Sequence, residues 1–87
     1  MEQICFSFNN RKCTGTLFSS REKTPFFYWC YLEDEDLVDK VGECIGFVDK
    51  GGFVKATENY PQQYQPVVDE IKYYILEHYY PQSSYIH

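Results

Sequence analysis

Apolar positions recur along this 87-residue chain in two rhythms, one of period two and one of period near four. From Gln3 to Phe8 the alternation is strict. Ile4, Phe6 and Phe8 face one way and Cys5 and Ser7 the other, the pattern of a half-buried strand. Asn9-Asn10 is a turn signal, because asparagine tolerates positive φ. Cys13 to Phe18 is β-branched and aromatic and reads as the returning strand of a hairpin. Gly15 within it marks a bulge or a close approach by an aromatic ring. A polar loop, Ser19 to Thr24, leads to Pro25.

The next stretch, Phe26-Phe27-Tyr28-Trp29-Cys30-Tyr31-Leu32, carries no charge and is large at nearly every position. A run of this length with proline in front and acids behind reads as a central strand. Phe26, Tyr28, Cys30 and Leu32 line one face, and Phe27, Trp29 and Tyr31 the other. Both sets call for cover. The alternative is that the Trp29 face is half covered and serves as a binding surface.

After the acids Glu33-Asp34-Glu35-Asp36, the rhythm changes. Leu37, Val38, Val41, Cys44 and Ile45 recur at helical spacing. Asp34 is placed to cap such a helix, and acids in the first turn suit its positive end. Gly46 would end it. A shorter helix ending at Gly42, with Glu43 to Val48 extended, competes. Phe47-Val48 and Phe53-Val54-Lys55 flank Asp49-Lys50-Gly51-Gly52 and predict a second hairpin. A polar loop from Ala56 to Gln65 follows. A final helix is expected from Pro66 to about Tyr80, where Pro81 stops it. Its inner arc is Val67, Ile71, Tyr74, Ile75 and His78, with Val68 and Tyr79 on the flank. Tyr73, Leu76 and Tyr80 form a second stripe on the far side. Residues 82–87 are expected to fray.

The expected fold class is α+β. It is a small two-layer domain with an antiparallel sheet, sequence order β-β-β-α-β-β-α, and the C-terminal helix packed on the sheet. A partly closed barrel with the helix as a lid, or a second hairpin packed apart, are the other arrangements. The length predicts one domain over 1–87.

Composition narrows the function classes. The formal net charge is −5, which argues against a general nucleic-acid binder. Residues 1–24 sum to +2 and the rest to −7, so a small basic patch near the first turns is compatible with the acidic whole. Glu2 and Gln3 stand where a leader would be basic, and no segment approaches the ~20 apolar residues of a membrane span. The expectation is a cytoplasmic protein with Cys5, Cys13, Cys30 and Cys44 as reduced thiols.

No catalytic constellation emerges. The cysteines lack zinc-knuckle spacing, and only His78 and His87 are available as imidazoles. Pairing Cys30 with His78 is the one conceivable nucleophile and base. The acids at 33–36 lack a calcium-loop pattern, and the glycines form no phosphate loop. No cofactor or metal is expected.

Tyrosine is abundant, with nine in the chain and six of them between Tyr60 and Tyr80. One helix cannot bury all of these on a single face, and tyrosine is enriched where proteins meet. The primary expectation is therefore a small acidic non-enzymatic interaction module. Its partner is another protein or a second copy of the chain, with Tyr73, Leu76 and Tyr80 as contact residues, and with membrane and nucleic acid set aside. One alternative is an inhibitor that imitates nucleic acid through Glu33, Glu35, Asp36, Asp39 and Glu43. Another is a small-ligand pocket between the central strand and the last helix, lined by Tyr28, Cys30 and His78.

Overall fold

A computed structural model describes residues 1–80. The elements run β1 (Glu2–Phe8), β2 (Arg11–Ser20), β3 (Phe26–Leu32), α1 (Glu35–Val41), β4 (Cys44–Lys50), β5 (Phe53–Ala56) and α2 (Gln65–Tyr79), with a 3-10 turn at Gln62–Tyr64 before α2. The strands form one antiparallel sheet in the order β1-β2-β3-β4-β5. The fold is α+β with the expected element order, and β3 is the middle strand. The second hairpin belongs to the main sheet. The expected stop at Pro81 and the tail 82–87 lie outside the described residues.

Both tight hairpins use two-residue loops whose residues have positive φ. Phe8 pairs with Arg11 across Asn9 (φ 52°) and Asn10 (φ 62°), and Lys50 pairs with Phe53 across Gly51 (φ 67°) and Gly52 (φ 92°). Such loops twist in the sense that antiparallel strands need. Between β3 and β4 the chain makes α1 instead. Asp34 accepts the Leu37 N–H at 3.2 Å and caps the helix. Gly42, at φ 100°, ends it and donates its N–H to the Val38 carbonyl. The shorter helix is thus the one that forms, and Cys44 and Ile45 belong to β4. The reason is tertiary: Tyr31 and Cys30 pair with them across the sheet.

One face of the sheet is the core. Ile4, Phe6, Cys13, Leu17, Tyr28, Cys30, Leu32, Ile45, Phe47 and Val54 are buried there, together with Leu37 of α1 and Val67, Val68, Ile71 and Ile75 of α2. Helix α2 comes nearest to the two outermost strands, β1 and β5, so the sheet bends around it. Glu70 of α2 accepts the Ser7 N–H of edge strand β1 at 3.2 Å. A strand edge occupied in this way is less open to strand addition.

Three further sequence expectations are corrected. β2 runs on through Ser19 and Ser20, expected in the loop, because they pair with Tyr28 and Phe27 of β3. α2 begins one residue earlier than Pro66, at Gln65, because the preceding 3-10 turn feeds directly into it. His78 is not part of the buried arc. Its side chain is 47% exposed, with Nε2 3.3 Å from Glu2, and its ring stacks on Tyr74. An imidazole one turn beyond Tyr74 reaches the margin of the sheet, where β1 begins.

Gly15 sits in an unbroken β1–β2 register, so it marks no bulge. A Cβ at this position would lie 2.8 Å from Cys30 Sγ and 3.0 Å from the Tyr31 carbonyl, with the Phe6 ring 3.6 Å away. The close approach comes from a thiol and the backbone, and the aromatic ring lies just beyond them. Gly15→Ala is expected to cost ~1–3 kcal/mol through overpacking. The readout is a lower urea midpoint at unchanged slope, partly restored when Cys30→Ala is added.

Candidate functional site

The alternation along β3 sends Phe27, Trp29 and Tyr31 away from the core. On β2 the same alternation sends out Phe18, which pairs directly with Trp29. These rings are 37%, 38%, 47% and 38% exposed for Phe27, Trp29, Tyr31 and Phe18. They interact with one another: Phe18 meets Tyr31 edge to face at 5.4 Å, and Phe27 and Trp29 lie nearly parallel, with centroids 6.3 Å apart. On the other side, Trp29 pairs with Gly46. A side chain there would press on Thr57, whose N–H and hydroxyl both reach the Gly46 carbonyl.

Two open depressions flank this ridge. One, of about 850 Å³, is lined by Met1, Thr16, Phe18, Ser19, Trp29 and Tyr31. The other, of about 620 Å³, includes Phe27, Val48, Lys50, Lys55 and Glu58. Four rings left about two-fifths bare, at ~150–250 Å² each, present roughly 300 Å² of aromatic surface. That is the scale at which an exposed patch on a monomer is often functional. Its centre is uncharged. The strands place Lys12, Lys50 and Lys55 around it, and none of these lysines is ion-paired among the described residues. Glu33, at the end of β3, is engaged by the Thr14 and Thr16 hydroxyls at 2.6 and 3.2 Å.

The residues singled out on the last helix do not share one surface. Tyr73 is 58% exposed. Leu76 is partly buried against the core. Tyr80 turns inward, and its hydroxyl donates to Asp49 at 2.6 Å. Asp49 is fully buried and accepts two further hydrogen bonds, from the Tyr28 hydroxyl at 3.0 Å and the Gly52 N–H at 2.8 Å. Arg21 lies over the rings of Phe26, Tyr79 and Tyr80 at 4.7, 4.6 and 5.7 Å. This cluster closes the end of the sheet near the Gly51-Gly52 turn. The single buried carboxylate was unmarked in the sequence, where Asp49 reads as an ordinary turn residue.

The pocket expected between β3 and α2 is filled. Tyr28 and Cys30 are fully buried, while His78 lies outside with Glu2. Burial pushes the Cys30 thiol up to about 12, which removes the thiolate needed for nucleophilic chemistry near neutral pH. Burial and the Asp34 carboxylate push Cys13 up, and burial followed by Glu43 pushes Cys44 up. Among the described residues, no group of three or more His, Cys, Asp or Glu side chains is placed to hold a metal ion. Of the acids after β3, Asp34 and Asp36 are bridged by Arg11 at 3.1 and 3.0 Å, and Asp34 also accepts from Cys13. Burial raises the Asp34 carboxyl, but the Leu37 N–H, the Cys13 thiol and Arg11 outweigh it and hold it below its ordinary value.

The chain matches no protein-family model, no curated protein and no solved structure. The geometry alone therefore carries the functional argument.

Asp49→Ala would leave two phenol hydroxyls without their acceptor and is expected to cost ~2–4 kcal/mol. Burial first, and Asp49 second, raise the Tyr28 and Tyr80 phenols. Their stabilising contribution is whole below the free phenol value of ~10 and is lost as pH rises through the folded values. An ultraviolet phenolate titration should show late-ionising tyrosines, and Asp49→Asn should move part of that late step to lower pH. At neutral pH an alkylating reagent should modify exposed Cys5 first and reach Cys30 only on unfolding.

Proposed function

We propose that this protein is a non-enzymatic protein-interaction module and that the outer face of its sheet is the contact surface. The observation that carries the reading is a set of four rings in two packed pairs, from two adjacent central strands, left partly bare around an uncharged centre. Interfaces share this anatomy: an apolar aromatic centre, depleted of charge, within a polar rim. Trp and Tyr are also the residue types that most often dominate binding energy. A catalytic role would need a polar group with an accessible reactive form. The thiol that the sequence brings nearest to a base is instead buried in the core.

If the rings serve binding more than folding, replacing them should cost little stability. Phe18→Ser and Tyr31→Ser are expected to lower stability by ~1–2 kcal/mol, against ~3–5 kcal/mol for Phe47→Ala in the core. An apolar fluorescent dye should bind the native wild-type chain and lose most of that binding in the Phe18→Ser/Trp29→Ser double variant. Affinity purification from the native host, with Tyr73→Ser as the comparison, tests the role itself. The partner should be lost with Phe18→Ser/Trp29→Ser and kept with Tyr73→Ser. Retention by the double variant rejects the outer face as the contact surface, and loss with Tyr73→Ser alone moves it to α2.

A further inference from the structure

The charges around the aromatic ridge go further and point to the kind of partner. The whole chain is acidic, at −5, yet the strands direct three lysines, Lys12, Lys50 and Lys55, to the outer face, where Glu33, just past β3, is already engaged by the Thr14 and Thr16 hydroxyls. Lys50 and Lys55 line the depression beside Phe27, with Glu58 as its one acid. The depression on the opposite side of the ridge, at Phe18, Trp29 and Tyr31, has no charged side chain in its lining. The two are therefore chemically different, one apolar and one predominantly cationic.

A second copy of the chain fits this surface poorly. A twofold contact sets a patch against itself, and this patch carries more lysines than acids, so a second copy brings no surplus of carboxylates to Lys50 and Lys55. The sheet also bends around α2, so two outer faces would touch along their central strands. The four central rings then supply most of the contact, at roughly 300 Å² per copy. A stable interface needs ~500 Å² or more on each side. Edge pairing is hindered at β1 by the Glu70 contact.

Resting on the proposed contact surface, we infer that the partner is a different protein that lays an extended acidic segment across the ridge. One apolar side chain enters the Phe18–Trp29–Tyr31 depression, and a carboxylate reaches Lys50 and Lys55 on the far side. From β2 to β5 is three strand spacings, ~14 Å, which an extended chain covers in about four residues. The recognised segment thus pairs an apolar anchor with an acid about four or five residues away.

The experiment uses the full chain and its own reporter, since Trp29 is the only tryptophan. Random peptides displayed on phage are selected on the wild-type chain and counter-selected on Trp29→Ser. The best binder is then synthesised and titrated while Trp29 emission is followed. Enriched peptides should carry the apolar-to-acidic spacing, and binding should weaken about tenfold in Lys50→Glu/Lys55→Glu. It should weaken further as ionic strength is raised. A peptide with its acids changed to lysine should bind the charge-reversed variant better than the wild type. Circular dichroism confirms that each variant is folded.

Peptides that depend on Trp29 but lack acids, or ignore the lysine reversal, overturn the acidic-partner inference and leave the contact surface standing. A selection yielding no Trp29-dependent peptide overturns both. Sedimentation showing a dimer that Phe18→Ser/Trp29→Ser dissociates replaces the partner with a second copy. Lysine-dependent quenching of Trp29 by oligodeoxythymidine, with no peptide enriched, replaces it with single-stranded nucleic acid.

Discussion

A five-stranded sheet has two faces, and this chain packs its helices against one of them. The apolar arc of α2 and Leu37 of α1 enter the same core as the inward residues of every strand. Because α2 comes nearest to β1 and β5, the sheet bends around it and its inner face holds the core. Nothing among the described residues is left to layer over the other side. The central strand is nonetheless aromatic on both sides, so the outward rings cover one another instead. Phe18 packs on Tyr31 and Phe27 on Trp29. Such pairs recover part of the burial that a covering layer would supply, and they leave a surface that another molecule can still desolvate.

The same one-sidedness sorts the charges. Four acids act on the helix side or at the sheet's edge, while Glu33 and Glu58 stand on the outer side. Glu2 meets Tyr74, His78 and Tyr79. Asp34 caps α1, Asp49 lies at the core, and Glu70 sits on the β1 edge. A buried carboxylate is tolerated only when its lone pairs are filled, and Asp49 satisfies this with two phenols and a backbone amide. It also ties the β4–β5 turn to β3 and to the end of α2. The lysines that remain on the outer face are thus counterparts of an acidic interior and helix layer, and net charge alone conceals them.

Tyrosine abundance divides in the same way. Tyr28 and Tyr64 are core residues. Tyr74, Tyr79 and Tyr80 are polar clasps whose hydroxyls reach Glu2, Ser19 or Asp49. Tyr31 and Tyr73 are the exposed members among the described residues. Clustering in the sequence therefore signalled a need for acceptors at the margin of the sheet more than a single contact stripe. The helix stripe of Tyr73, Leu76 and Tyr80 is dispersed because Leu76 leans on the core and Tyr80 lies past the last turn of α2, where the chain bends toward Asp49.

Local sequence determined most of the elements. Alternation placed β1, β2 and β3 and the inward set of each, Asn9-Asn10 and Gly51-Gly52 specified the β1–β2 and β4–β5 turns, and the Asp34 cap set the start of α1. It also determined that β3 must be central, since no edge strand accommodates large side chains on both faces so well. Only tertiary structure decided where α1 ends, because Ile45 fits a helical arc and a strand equally until Cys30 pairs with it. Only tertiary structure showed that Gly15 makes room for Cys30 and that Asp49 is a buried acceptor. It also decided which side of β3 stays bare. Alternation says that two faces exist, but the choice of covered face depends on where the helices return, and that rests on contacts among residues far apart in the chain.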